Sequence, residues 1–139
     1  MTEVCVISCG SAKLAAPTAA HRLYTGSYFR MQLRWARSRY PADRIRILSA
    51  KYGLVRLTDR LAPYDLLMGA PGSVTADQIA ERLPAGATIV TSCGAKYLKP
   101  LRAAAAMTGC TVVEPFSAGR GMGHKMQMMK QQINRRSIT

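Results

Sequence analysis

Three short apolar runs each end in a serine that is followed, within a few positions, by a glycine and a lysine. This repeat constrains the fold more than any other feature. Val4 to Ser8 leads into Ser8-Cys9-Gly10-Ser11-Ala12-Lys13. Arg44 to Ser49, with Ile45, Ile47 and Leu48 as its apolar members, leads into Ser49-Ala50-Lys51-Tyr52-Gly53. Ala87 to Thr91 leads into Ser92-Cys93-Gly94-Ala95-Lys96-Tyr97. Short apolar runs bounded by turn residues read as strands buried on both faces. Thr111 to Glu114 reads as a fourth strand.

Between these runs the pattern turns helical. Ser27 is placed to N-cap a helix running to about Tyr40, with Phe29, Leu33, Ala36 and Tyr40 on the core-facing stripe. Arg30, Arg34 and Arg37 form a second stripe, which suits a solvated face and a polyanion contact equally. Pro41 ends that helix. A Thr75-x-x-Gln78 capping box opens another through Leu83, and Pro84-Ala85-Gly86 stops it. A third follows Gly94, is expected to break or restart at Pro100, and ends at Gly109. A last helix from about Met122 to Arg136 carries Met122, Met126, Met129 and Ile133 on one face, with Lys125 and Lys130 outside it. Residues 11–26 and 50–74 read as irregular. Strands alternating with helices imply one α/β domain over residues 1–139, a mainly parallel sheet of four or slightly more strands with helices on both faces.

Charge narrows the partner. In 139 residues, Lys and Arg total 20 against 7 for Asp and Glu, a formal charge of +13. Self-repulsion on that scale works against compactness unless a polyanion offsets it, and nucleic acid is the commonest such partner. After Glu81 the only acidic residue is Glu114, whereas Arg82, Lys96, Lys99, Arg102, Arg120, Lys125, Lys130, Arg135 and Arg136 are basic. The C-terminal half is therefore the expected electrostatic footprint, with DNA as the expected partner. Cys5 and Cys110 read as buried thiols, and Cys5, Cys9, Cys93 and Cys110 form no CxxC pair and no zinc spacing with His21 or His124. No metal or cofactor is expected. The N-terminal Met-Thr-Glu-Val lacks a basic and apolar leader pattern, and no stretch has the length to span a bilayer, so a cytoplasmic location and no membrane partner are expected.

In an open parallel sheet, ligands bind outside the carboxyl ends of the strands. If the three runs are parallel neighbours, their turns converge there: glycine admits backbone amides to an oxyanion, serine donates a hydrogen bond and lysine supplies charge. None is a Walker A loop. The expected phosphate or nucleic-acid contacts are Ser8, Cys9, Gly10, Ser11, Lys13, Ser49, Ser92, Gly94 and Lys96, joined by Thr25, Ser117, Arg120, His124 and Lys125. Tyr52 and Tyr64 are candidates to stack on a base. The candidates for catalysis are Tyr24, Lys51, Asp65 and Glu114. Asp65 is a lone carboxylate in a basic stretch; a turn or helix cap is the role sequence grounds favour, and accepting a proton, orienting water or stabilising a developing cation is the functional alternative.

Three segments together resemble the YaaA-like family of peroxide-stress proteins. They are Leu23-Tyr24-Thr25-Gly26-Ser27-Tyr28-Phe29, Arg46-Ile47-Leu48-Ser49-Ala50-Lys51-Tyr52-Gly53-Leu54-Val55 and Ala62-Pro63-Tyr64-Asp65-Leu66-Leu67-Met68-Gly69. The opening Ser8 to Lys13 is similar to that family's start as well, and the match is best to a short bacterial and phage branch. The resemblance covers most of residues 6–69 and implies DNA binding with a role in limiting or processing damaged or modified DNA. A weaker, fold-level likeness is to uracil-DNA glycosylases, through Glu114-Pro115-Phe116-Ser117 after a late strand; their water-activating motif and late-loop histidine are absent here.

Three functions are compatible with these features. The chain is expected to bind DNA and process its bases by N-glycosidase or base-modifying chemistry. The alternatives are a non-enzymatic DNA-binding or protection module, and an enzyme acting on a phosphorylated metabolite or nucleotide. The sequence leaves the oligomeric state open.

Overall fold

A computed structural model describes residues 2–138, and of residues 136–138 the backbone only. The side chain of Arg136, counted above among the C-terminal cations, therefore lies outside the described residues. The chain order is β1 (Glu3–Ser8), β2 (Thr18–Ala19), α1 (Ala20–Leu23), α2 (Ser27–Arg39), a 3-10 turn (Ala42–Arg44), β3 (Ile45–Ser49), β4 (Gly53–Arg56), β5 (Arg60–Leu61), α3 (Ala76–Ala80), β6 (Thr88–Thr91), α4 (Ala95–Thr108), β7 (Thr111–Val113) and α5 (Gly121–Ile138). Five strands form one sheet in the order β4-β3-β1-β6-β7. The pairs β3·β1, β1·β6 and β6·β7 are parallel, and only the edge hairpin β3·β4 is antiparallel. The α/β class and the mainly parallel sheet are those expected from the apolar runs.

Val4 through Ser8 are buried at every position, as are Ile47 through Ala50, so the central strands are covered on both faces. One layer comes from α2 and α5, which pack on each other, and another from α3 and α4. Trp35 of α2 meets Phe116 edge-on at 4.9 Å between centroids, and its Nε1 donates to Gln132 Oε1 of α5 at 2.9 Å. The second contact ties α5 to α2, and the first packs the loop before α5 on the same indole. No helix among the described residues is long and apolar enough to cross a membrane.

Several local expectations are corrected. Residues 50–74 hold two strands: Gly53, at φ +76°, turns the chain so that Gly53–Arg56 folds back on β3. The run was too short to announce a strand by itself. Likewise β2 and β5 pair across the two segments read as irregular. The first long helix is capped by Gly26 with no side-chain cap bond, so Ser27 is its first residue rather than its cap. The Thr75/Gln78 capping box forms in full, yet its helix stops at Ala80. Pro100 sits inside an unbroken α4; it only leaves the carbonyl of Lys96, an exposed residue, without an intrahelical donor. On α5, Met129 is fully buried and Met126 and Ile133 half-buried, but Met122 is 60% exposed. Cys110 is only partly buried.

A candidate nucleotide pocket at the strand ends

From β1 the chain crosses to β3 on one side and later returns to β6 on the other. The carboxyl ends of β1 and β6 therefore flank a topological switch point, where an open α/β sheet leaves a crevice. A pocket of about 510 Å³ lies there, lined by Ser8, Cys9, Gly10 and Ser11 after β1 and by Gly94, Lys96 and Tyr97 after β6. Tyr28 from α2, Leu67 and Met68 from the loop between β5 and α3, and Gly119, Gly121, Met122 and Lys125 around the start of α5 complete it. Two lysines and no carboxylate line the pocket. Residues at the starts of α4 and α5 line it, and Gly94 caps α4 without any side-chain acceptor. Unsatisfied helix N–H groups and the positive end of the helix dipole favour an anion at such a position.

The two flanking turns are held by one buried amide. Gln32 of α2 is fully buried; its Oε1 accepts from Ser8 N at 3.0 Å, Ser8 Oγ at 3.2 Å and Ser92 Oγ at 2.7 Å, while its Nε2 donates to Ser8 O at 3.1 Å. One turn earlier on the helix, the Tyr28 hydroxyl donates to Ser92 O at 2.7 Å. Here Ser8 and Ser92 depart from expectation: their hydroxyl hydrogens are committed to Gln32, so they shape the pocket rather than donate to a phosphate. Burial pushes the Tyr28 phenol up to about 12, so it stays a neutral donor at ordinary pH.

Beside the pocket runs a chain of hydroxyls. Ser49 Oγ accepts from Lys51 N at 3.3 Å and Tyr52 N at 3.1 Å. Its own hydrogen therefore goes to the Tyr64 hydroxyl at 2.8 Å, which leaves the Tyr64 hydrogen for Tyr24, also at 2.8 Å. Burial pushes Tyr24 to about 12 and raises Tyr64 further. Lys13 Nζ stands 4.3 Å from the Tyr64 ring centroid, a cation–π contact, and Lys51 Nζ stands 5.3 Å from that of Tyr52. At the pocket wall the Tyr97 hydroxyl donates to the Cys9 carbonyl, and Cys9 Sγ lies 3.2 Å from the same hydroxyl.

The serine- and lysine-bearing turns thus converge on one sheet edge, but their lysines do not share one pocket. Lys96 lines the pocket; Lys13 is laid on Tyr64, and Lys51 lines a separate small concavity with Gln78, Glu81 and Arg82. Of the catalytic candidates, Tyr24 is 2% exposed and outside the lining, and Glu114 is ion-paired with Arg102 near the sheet's far edge. Both are corrected to structural roles, because neither presents a reactive group to the pocket. Ser49 is fully buried and joins the hydroxyl chain. Thr25 donates its N–H to Ala12 O, closing the loop beside Lys13. Tyr52 donates to Ala62 O and packs on Tyr64 at 5.5 Å between centroids, so these two rings stack on each other's edge. His124 Nδ1 accepts from Arg120 N at 3.0 Å, a helix-start contact in place of the expected phosphate contact; Arg120 itself is exposed, as is Ser117, whose N–H bonds Glu114 O. Asp65 is exposed, two residues before Leu67 of the lining, with no hydrogen bond or ion pair among the described residues.

Sequence reasoning missed Gln32, Tyr28, Tyr97, Leu67, Met68 and Met122. Gln32 left a signal: it stands three residues after Phe29 and four before Ala36, inside the buried arc of α2, where an uncharged amide needs a specific partner.

Fold and pocket define the class: a doubly wound α/β protein with an anion-favouring crevice at its switch point. Residues 4–131 match the profile of a family of unknown function (DUF6884), and the chain belongs to that family. No curated protein and no solved structure matches it.

Proposed function

We propose that the chain binds DNA and takes one nucleotide unit into the switch-point pocket, where its base is processed by N-glycosidase or base-modifying chemistry. One observation carries this: Lys96, Lys125 and the N-termini of α4 and α5 meet in a pocket without a single acidic lining residue. That combination favours a phosphate. The remaining lining suits a base and sugar, with the Tyr28 and Tyr97 rings, Leu67, Met68 and Met122 supplying flat or apolar surface. An excess of thirteen positive charges supports a polyanionic partner over an isolated phosphate. A base reaches such a pocket only when flipped out of a stack.

With Glu114 tied to Arg102, Asp65 is the carboxylate left for the chemistry. For an N-glycosidase the step balances simply. The C1′–N bond breaks, a water oxygen bonds C1′, one water proton passes to Asp65, which stands outside the lining two residues before Leu67, and the base leaves with a proton from solvent. Tyr28 stays neutral, and its hydroxyl, whose hydrogen goes to Ser92 O, leaves the ring as a fixed wall beside the base.

Mass spectrometry of free bases and nucleosides, after incubation with genomic and phage DNA, tests this. A released or altered base is expected, lost in Asp65→Asn with DNA binding retained. DNA binding without any product would leave a non-enzymatic module. Full turnover by Asp65→Asn would remove that carboxylate from the mechanism.

A further inference from the structure

The pocket does not close at Lys96. A second concavity of about 410 Å³ continues from it between the first turns of α4 and residues 67–70, lined by Leu67, Met68, Gly69, Ala70, Lys96 and Lys99. Leu67, Met68 and Lys96 line both spaces, so the two form one trough. Lys96 and Lys99 are three apart on α4, neighbours on its surface with Cβ atoms roughly 5–6 Å apart. Neither lysine has a carboxylate or hydrogen-bond partner among the described residues; the ion pair on this helix belongs to Arg102, one turn further on. No acidic residue lines either part of the trough. Leu67, on the shared wall, is 60% exposed, and Met122, in the pocket lining, equally so. Uncompensated cations in line, bordered by exposed apolar side chains, make a poor protein surface and a good bed for a backbone of phosphates with unstacked bases.

We infer that this trough carries a single nucleic-acid strand, Lys96 and Lys99 holding successive phosphates as the strand leads into the pocket, with Leu67 and Met122 as platforms for unpaired bases. This rests on the nucleotide-binding assignment of the pocket. A single strand fits better than a duplex because its bases are already unpaired, whereas a duplex must first flip one out of the stack to fill the pocket. Lys125 takes the phosphate inside the pocket.

Fluorescence anisotropy with the full chain tests the path. Probes run from a mononucleotide to a hexanucleotide, with a matched duplex, each titrated over a range of salt. Affinity is expected to rise from mononucleotide to oligonucleotide, and single strand to bind more tightly than duplex. The plot of log K against log salt should flatten by about 1.4 in Lys96→Ala/Lys99→Ala, at roughly 0.7 per lost single-strand phosphate contact. Arg30→Ala/Arg34→Ala/Arg37→Ala, on the exposed face of α2, should keep the wild-type slope. All five positions are exposed, and far-ultraviolet circular dichroism confirms folding of each variant. An unchanged slope in the lysine variant, equal affinity for mononucleotide and hexanucleotide, or preference for duplex would overturn the trough while leaving the pocket standing. A wild-type chain that binds neither mononucleotide nor any oligonucleotide would overturn the pocket assignment itself.

Discussion

Replacing Gln32 by leucine keeps the volume of the side chain and removes its amide, which isolates the contribution of the hydrogen bonds. Four groups lose their partner: the N–H, C=O and Oγ of Ser8 and the Oγ of Ser92. The two hydroxyls can rotate toward other acceptors, but the Ser8 N–H and C=O are fixed by β1. An unsatisfied buried backbone group costs about 1–3 kcal/mol, so the pair sets a loss of roughly 3 kcal/mol, more if the hydroxyls find nothing. Against a total stability of about 5–15 kcal/mol this is large. It corresponds to a fall in Tm of about 10 °C for a domain of this size, and to a urea midpoint lower by about 1.5 M. Chemical denaturation followed by Trp35 fluorescence measures it, since the indole is buried beside Gln132 and Phe116. Adding Ser8→Ala and Ser92→Ala to the variant removes the two orphaned hydroxyls and should recover about 1 kcal/mol, a coupling independent sites do not show. A loss below about 0.5 kcal/mol, the range of surface substitutions, would refute the clamp, as would a triple variant no more stable than the single one.

Three further outcomes are expected. Burial raises Tyr24 and Tyr28 from the ordinary 10 to about 12, so the folded state holds these protons more tightly than the unfolded chain. Their contribution to stability is complete below pH 10 and is lost as pH rises through about 12; denaturation midpoints that stay level across that window would contradict it. Gly119→Ala places a Cβ 2.5 Å from Lys125 Cγ and 3.1 Å from the Phe116 carbonyl oxygen, so a stability loss of about 1–3 kcal/mol and weaker nucleotide binding are expected by calorimetry. Glu114→Gln removes a partly exposed ion pair with Arg102 and should cost no more than about 1 kcal/mol, with base-product yield unchanged; lost product with intact folding would return Glu114 to the active machinery.

What the sequence determines by itself is local and periodic. Uniformly apolar runs specify strands covered on both faces, the Thr75/Gln78 box specifies a helix start, and Gly109, at φ +70°, specifies the end of α4. Serine–glycine–lysine turns after parallel strands must lie at one sheet edge, because parallel strands share a direction. The excess of basic residues bounds the partner without placing it.

Only the tertiary structure decided which of those residues face the crevice. Gln32 meets Ser8 across 24 positions and Ser92 across 60, a pairing no local pattern encodes. The same packing turns two expected phosphate donors inward and threads Tyr24, Tyr64 and Ser49 into one hydroxyl chain. It also lays Arg102 on Glu114 and brings Tyr28, Tyr97, Leu67 and Lys125 from four elements around one crevice. A side chain's chemistry is set by type, but its availability depends on which hydrogen bonds burial obliges it to make, and those partners come from wherever the sheet order brings them.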